Sequence, residues 1–135
     1  MKGSFSLPTI LVADQDDAVR NPLVRDLSHE GYFVLPAKDE IDALEIVRVH
    51  SRPIHLLLTD ESMNGRTLAA TLQQYRPKMH ALFITRYPQG IAPDVIPVES
   101  AVAGVREFLK LVDSPEEPKE LTLPAQRFKV SRHVA

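Results

Sequence analysis

Strand-like and helix-like segments alternate along this chain, and the alternation predicts an α/β protein with a five-stranded parallel sheet and helices on both faces. Three short runs, Thr9–Asp14, Ile54–Asp60 and Met79–Thr85, are almost wholly apolar, which is typical of strands buried on both faces. The segments between them carry apolar residues at helical spacing, as helices that cover a sheet do.

The first helix is predicted over Asp16–Glu30, with acidic residues at its start and Gly31 at its end. Pro22 lies inside this segment, so a kink or a delayed start is expected. A short strand, Tyr32–Leu35, follows.

The second helix is predicted to begin at a cap formed by Asp39 and to end before Pro53. Its buried face is expected to carry Ile41, Leu44 and Val47.

The third helix is predicted from about Gly65 to Tyr75, with Leu68, Leu72 and Tyr75 on its buried side. Pro77 then separates it from the Met79–Thr85 strand.

A weak fifth strand is predicted at Val95–Val98, and the last helix opens at Glu99 or Ser100. The link Arg86–Asp94 has two prolines and a glycine in nine residues, which leaves too little room for a crossover helix. The fourth helix of a regular alternation is therefore expected to be short or missing. The core face of the last helix is predicted to be Val102, Val105, Phe108, Leu109 and Val112.

Length and composition bound the class of protein. With 135 residues, of which 44% are hydrophobic, the chain can form one domain, predicted at 9–113 between an N-terminal extension (1–8) and a C-terminal tail (114–135). A net charge of −2 gives no basic field for nucleic acid, and the absence of cysteine excludes disulfides and cysteine-ligated zinc. No apolar run is long enough for a membrane span, and a cytoplasmic location is expected.

Three polar residues follow or end the apolar runs, namely Asp14, Asp60 and Thr85. Because the carboxyl ends of parallel strands share one edge of the sheet, these residues are expected to meet in one crevice. Two carboxylates and a hydroxyl there suit a divalent cation and a phosphoryl group.

The sequence resembles two-component response-regulator receiver domains over about residues 8–112. The resemblance rests on motifs in a family-like order: Ile10–Arg20, Gly31-Tyr32, Leu56–Asp60 followed by Met63, Leu82–Thr85, and Pro97 before the last helix. It implies a flavodoxin-like five-stranded sheet, in agreement with the alternation of elements.

By this resemblance, Asp60 is the aspartate that accepts a phosphoryl group from a histidine kinase. Asp14, Asp60, the main-chain carbonyl near Ser62 and the amide of Gln15 would hold Mg²⁺. Thr85 would contact the phosphoryl group and act as the switch residue.

Three features depart from the family pattern. Gln15 replaces the second acid of the metal pair, which is expected to weaken Mg²⁺ binding. Asp16 is expected to point elsewhere if it opens the helix, although it could contribute to the site through water. Ile96 replaces the family's lysine, which pairs with the phosphoryl group. Arg86 or Arg66 could supply the missing positive charge. A solvated surface charge is nevertheless the simpler interpretation of both arginines. The loop after Asp60 is also shorter than is usual.

The leading hypothesis is a stand-alone, atypical receiver in phosphorelay signalling, not an enzyme. Its expected partners are a histidine kinase or phosphotransfer protein and a downstream protein target, with a possible homodimer and with no nucleic acid or membrane.

Two alternatives stay open. A degenerate site would leave a phosphate-independent interaction module. The Asp14-Gln15-Asp16 segment also resembles the motif of haloacid-dehalogenase-type phosphatases, in which Asp14 would attack the phosphate ester and Asp16 would protonate the leaving group.

Overall fold

The computed structural model describes residues 7–86 and 94–113. Five strands and four α-helices lie within these ranges: β1 (Thr9–Ala13), α1 (Asp17–His29), β2 (Phe33–Ala37), α2 (Glu40–Val49), β3 (Leu56–Asp60), α3 (Gly65–Tyr75), β4 (His80–Thr85), β5 (Val95–Pro97) and α4 (Ala101–Asp113). The strands form one parallel sheet in the order β2-β1-β3-β4-β5. The predicted α/β architecture is therefore confirmed.

The strand register brings the polar strand ends to one edge of the sheet. Ala13, the last residue of β1, pairs with Thr59, so that Asp14 follows β1 beside Asp60 at the end of β3. Asp60 in turn pairs with Ile84, one residue before Thr85. The three strand ends therefore lie at the same edge of the sheet, as the sequence predicts.

Alternate residues of the buried strands pack against two different helix layers. In β3, Leu57 belongs to the core beneath α2 and α3, whereas Leu56 and Leu58 belong to the core beneath α1 and α4. All three leucines are fully buried. This explains why the predicted strand is apolar throughout and does not alternate with polar residues.

The first helix begins where its acidic cap places it. The Asp16 side chain accepts a hydrogen bond from the backbone N–H of Ala18, and α1 starts at Asp17. Pro22 lies within α1 and does not delay its start, so that part of the expectation was wrong. Gly31, with φ of +102°, adopts the left-handed conformation that ends the segment.

The predicted buried face of α2 is partly wrong. Ile41 is 77% exposed, and the buried residues of α2 are Ala43 and Val47. Ile41 lies two residues before Ala43, roughly 200° away around the helix axis, and so faces solvent. Leu44 is partly buried against the core, as expected.

The predicted face of α3 is correct except at its end. Leu68 and Leu72 are buried, but Tyr75, the last residue of α3, is 51% exposed. Arg76 reaches across to α2 instead, where its guanidinium donates to the carbonyls of Val47 and His50.

The last strand and helix lie close to their predicted positions. β5 is only three residues long, and a 3-10 turn (Val98–Ser100) leads into α4. The predicted face of α4 is confirmed, with Val105, Phe108 and Leu109 buried. The expected loss of a helix between β4 and β5 concerns mainly residues 87–93, which lie outside the described residues. No helix in the described ranges is long and apolar enough to cross a bilayer.

Candidate functional site

A cavity of about 370 Å³ opens at the carboxyl edge of the sheet. Seven residues line it: Asp14, Gln15, Asp16, Asp60, Ser62, Asn64 and Arg86. The structure therefore brings together Asp14, Gln15, Asp60, Ser62 and Arg86, all of which the sequence singled out. Asn64 follows a 3-10 turn (Glu61–Met63) that begins directly after Asp60, and it was not predicted as a site residue. The signal in the sequence is the Asn64-Gly65 pair, which is typical of tight turns.

Asp60 is buried at the end of β3, and one side of its carboxylate is firmly held. Its Oδ1 accepts hydrogen bonds from both the backbone N–H and the hydroxyl of Ser62, each at 2.8 Å. Its Oδ2 lies 4.0 Å from Nε of Arg86. The carboxylate thus has a fixed orientation, with Oδ1 bonded to the turn and Oδ2 on the side of the Arg86 guanidinium.

The turn after Asp60 depends on two unusual backbone positions. Asn64 adopts the left-handed conformation with φ of 61°, which asparagine tolerates better than most residues. At Gly65, the first residue of α3, a Cβ atom would lie 2.6 Å from the Asp60 carbonyl oxygen and 3.1 Å from Cγ2 of Thr59. The absence of a side chain at Gly65 therefore lets α3 start directly against the end of β3.

Asp14 follows β1 and is only 2% exposed. Its Oδ1 accepts a hydrogen bond of 2.9 Å from the backbone N–H of Asp16. Its Oδ2 is buried and has no hydrogen-bond partner within the described part of the chain. Burial raises the pKa of the Asp14 carboxyl. The hydrogen bond from the Asp16 N–H lowers this pKa, and the nearby negative charge of Asp60 raises it further.

Asp16 is turned into the site, contrary to the expectation that it would point elsewhere. One oxygen caps α1 through Ala18, and the other accepts a hydrogen bond of 2.9 Å from Nη2 of Arg86. The pKa of Asp16 is held below its usual value, mainly by the hydrogen bond from the Ala18 N–H and, to a smaller extent, by Arg86. Because a carboxylate has two oxygens, opening a helix does not prevent Asp16 from facing the cavity.

The two candidate arginines have different surroundings. Arg86 is exposed, as a solvated surface charge would be, but it lines the cavity and pairs with Asp16, which raises the pKa of its guanidinium. Arg66 makes two hydrogen bonds to Asp94, at 2.9 and 3.0 Å, and its guanidinium lies 4.3 Å from the ring centroid of Phe83. Arg66 is thus held outside the set of residues that line the cavity.

Thr85 lies at the predicted edge but does not line the cavity. It is the last residue of β4, pairs with Pro97 of β5 and is half-buried. The structure therefore confirms its placement at the carboxyl edge, one residue before Arg86, and does not place its side chain among the lining groups.

The donor atoms of the cavity fit a small divalent cation. No group of three or more His, Cys, Asp and Glu side chains with metal-binding geometry occurs in residues 7–86 and 94–113. Mg²⁺ does not require one, since it keeps several waters and is commonly held by one or two carboxylates. The unpartnered Oδ2 of buried Asp14 is the kind of oxygen that a cation would satisfy.

Comparisons with known proteins place these observations in a family context. No protein-family model matches the chain. The chain is 35% identical to the response regulator receiver protein CpdR of Brucella abortus over 81 residues, which cover 58% of this chain and 66% of CpdR. It is 28% identical to the sensor kinase CckA of the same organism over 95 residues, which cover 68% of this chain but only 10% of the kinase.

The solved structure of the receiver domain from the hybrid histidine kinase CckA resembles this one. It aligns with a TM-score of 0.60 and 31% identity, and the match covers 76% of this chain and 95% of that domain. The match to the curated relatives spans less than two thirds of their length, whereas the match to this single domain is almost complete.

Proposed function

The chain belongs to the family of response-regulator receiver domains, and we propose that it accepts a phosphoryl group on Asp60 and signals through protein contacts. The observation that carries this proposal is the position of the Asp60 carboxylate and its contacts. It is buried, held by Ser62 through Oδ1, and placed in a cavity that also contains the Asp14 carboxylate and the Arg86 guanidinium.

The proposed step forms a bond between Oδ2 of Asp60 and phosphorus. The bond between phosphorus and the donor's leaving atom breaks at the same time, and the leaving atom keeps the bonding electron pair and takes up a proton. Two contacts through Oδ1 hold the carboxylate for this attack, so Oδ2 is the oxygen that can accept the group. The product is an acyl phosphate on Asp60.

A divalent cation, Mg²⁺ by family resemblance, would be held by the carboxylates of Asp14 and Asp60, the main-chain carbonyl of Ser62 and the amide oxygen of Gln15. When bound, such a cation screens the negative charge that otherwise keeps a carboxylate from a phosphoryl group. Gln15 contributes an oxygen without charge, so we expect weaker binding than in a site with a second acid.

Arg86 would supply the positive charge that Ile96 cannot. Its Nε lies 4.0 Å from Oδ2 of Asp60, within reach of a group attached there. A guanidinium can donate two parallel hydrogen bonds to phosphoryl oxygens, whereas an ammonium acts as a point charge. Thr85, one residue earlier, would act as the hydroxyl that responds to the modified Asp60.

The proposed partners are a histidine kinase or phosphotransfer protein as donor and a protein target downstream. We propose a signalling module and not a phosphatase, because Asp16, the general acid of the phosphatase interpretation, is engaged by Ala18 and Arg86. Asp60, which has no role in that interpretation, lies in the cavity instead.

The test is phosphorylation of the full chain by acetyl phosphate in the presence of Mg²⁺, followed by intact-mass measurement. We expect a mass increase of one phosphoryl group in the wild type and none in Asp60→Asn. Asp26→Asn, which removes an exposed carboxylate on α1, is the matched control and should behave as the wild type. No mass increase with acetyl phosphate or with any phosphorylated histidine donor would refute the proposal and leave a phosphate-independent interaction module.

A further inference from the structure

We infer that Arg86 is a resident cation of the acidic cavity and competes there with a divalent metal ion. The inference rests on the proposed function for the identity of the metal site. It concerns how a side chain of this protein controls access to that site, which is a separate property from phosphoryl transfer.

The geometry shows that Arg86 contacts two carboxylates of the cavity. Its Nη2 donates to Oδ2 of Asp16 at 2.9 Å, and its Nε lies 4.0 Å from Oδ2 of Asp60. Arg86 therefore lies between the cap of α1 and the end of β3. A metal ion that binds Asp60 through this oxygen would have to share it with the guanidinium or displace the guanidinium.

The charges of the cavity lead to the same conclusion. Among its lining residues, three carry carboxylates, Asp14, Asp16 and Asp60, and Arg86 alone carries a positive charge. With all four ionised, the lining groups sum to −2 with Arg86 and −3 without it. Because like charges repel strongly at separations of a few ångströms, a divalent ion is bound more weakly while the guanidinium stays in the cavity.

Arg86 is also attached in a way that permits exchange. Its side chain is 40% exposed, so the guanidinium can move into water at a small cost in solvation. Asp16 keeps its own hydrogen bond to Ala18 and does not need Arg86 to hold its orientation. Arg66, by contrast, makes a two-pronged contact with Asp94 and lies on the Phe83 ring. Of these two arginines, only Arg86 is placed to act as a displaceable counter-ion.

The experiment is a calorimetric titration of the full chain with Mg²⁺, without a phosphoryl donor. We expect Arg86→Gln to bind Mg²⁺ about tenfold more tightly than the wild type, because one positive charge has left the site. Arg86→Lys, which keeps the charge, should stay within about twofold of the wild type. The matched control is Arg106→Gln, which removes the same charge from an exposed ion pair on α4 and should also change the affinity by about twofold at most.

An Arg86→Gln affinity equal to that of the wild type would overturn the inference, as would an equal gain in Arg106→Gln or the lack of Mg²⁺ binding in all variants. Circular dichroism of each variant separates a loss of folding from a change at the site, and Arg86→Met provides a second neutral replacement. The proposed function fails on different data. A tenfold gain in Mg²⁺ affinity without phosphorylation of any variant would support the resident cation and refute phosphoryl acceptance on Asp60.

Discussion

Gly65 approaches the backbone of Asp60 so closely that a Cβ atom at position 65 would lie 2.6 Å from the Asp60 carbonyl oxygen. This contact joins the first residue of α3 to the last residue of β3, the strand that carries the central carboxylate of the cavity. The position of Asp60 is therefore coupled to the packing of α3.

We predict that Gly65→Ala lowers the free energy of unfolding by about 1–3 kcal/mol, because backbone atoms of Asp60 must move to admit the methyl group. Urea denaturation followed by circular dichroism measures this change. We also expect altered amide shifts of Asp60 and Ser62 in NMR spectra, since the displaced carbonyl belongs to the turn that holds the carboxylate.

Gly104 provides the matched control for this substitution. It lies inside α4, and the atom that a Cβ would meet is Cδ1 of Ile96, the far end of a flexible side chain, at 2.5 Å. Gly104→Ala also gains helix propensity of up to about 1 kcal/mol. We therefore expect Gly104→Ala to be neutral or stabilising, and an equal loss in both variants would contradict the role given to the Asp60 carbonyl.

Much of this fold could be predicted because the buried strands are apolar on both faces. The runs that end at Asp60 and Thr85 could be predicted as strands without deciding which of their residues face which side of the sheet. The shared edge of the strand ends then followed from the parallel arrangement of the strands. Helix faces were harder to predict. Ile41 fits a helical pattern with Leu44 but lies on the solvent side, because the buried face of α2 is formed by Val47 and by Ala43, a small residue with a weak apolar signal.

The site residues also divide into those that could be predicted from the sequence and those that could not. Asp14 and Asp60 could be placed because each occupies a strand end, where the topology fixes the position of the backbone. The contact between Asp16 and Arg86 joins residues 70 positions apart and depends on side-chain direction, which spacing in the sequence does not determine. Asn64 was missed because its role comes from a left-handed backbone conformation and not from a charge.

The corrected faces of α2 and α3 lead to a second prediction. Ile41→Ala should change the free energy of unfolding by no more than about 0.5 kcal/mol, because the side chain is 77% exposed. Leu72→Ala, which removes a side chain of the same carbon count from a fully buried position, should lower the stability by about 2–5 kcal/mol. Denaturant midpoints of the two variants, measured side by side, check this order. Comparable losses would mean that Ile41 contributes to the core after all.

Arg76 carries a third prediction, on stability away from the site. Its guanidinium donates to the carbonyls of Val47 and Arg52, each at 2.9 Å, and to that of His50, all at or beyond the C-terminal end of α2. A lysine keeps the charge but cannot present donors in this forked arrangement. We expect Arg76→Lys to lower the free energy of unfolding by about 1–3 kcal/mol.

Arg25 offers the control for Arg76, because it is an exposed arginine paired only with its neighbour Asp26 among the described contacts. Arg25→Lys should leave the thermal midpoint within error of the wild type. If Arg76→Lys also left the stability unchanged, the three carbonyl contacts would not be important for holding the end of α2.

The buried carboxylate of Asp14 carries the last prediction, on pH. Burial raises the pKa of Asp14 above its ordinary value of 3.8, so the folded state binds a proton more readily than the unfolded state does. The charged form therefore destabilises the fold. This penalty is absent at pH values below 3.8 and grows until the pH exceeds the raised pKa.

Asp14→Asn removes the charge and keeps an oxygen that can accept the Asp16 N–H. We expect this variant to be more stable than the wild type at neutral pH in the absence of divalent metal, and the advantage to vanish as the pH falls below 3.8. Urea denaturation across this pH range, in the presence of a chelator, measures the difference. Added Mg²⁺ should then stabilise the wild type by mass action, about 1.4 kcal/mol at ten times its Kd, and stabilise Asp14→Asn less, because the amide is a weaker ligand. A stability difference that stays constant with pH would show that the Asp14 charge is not the cause.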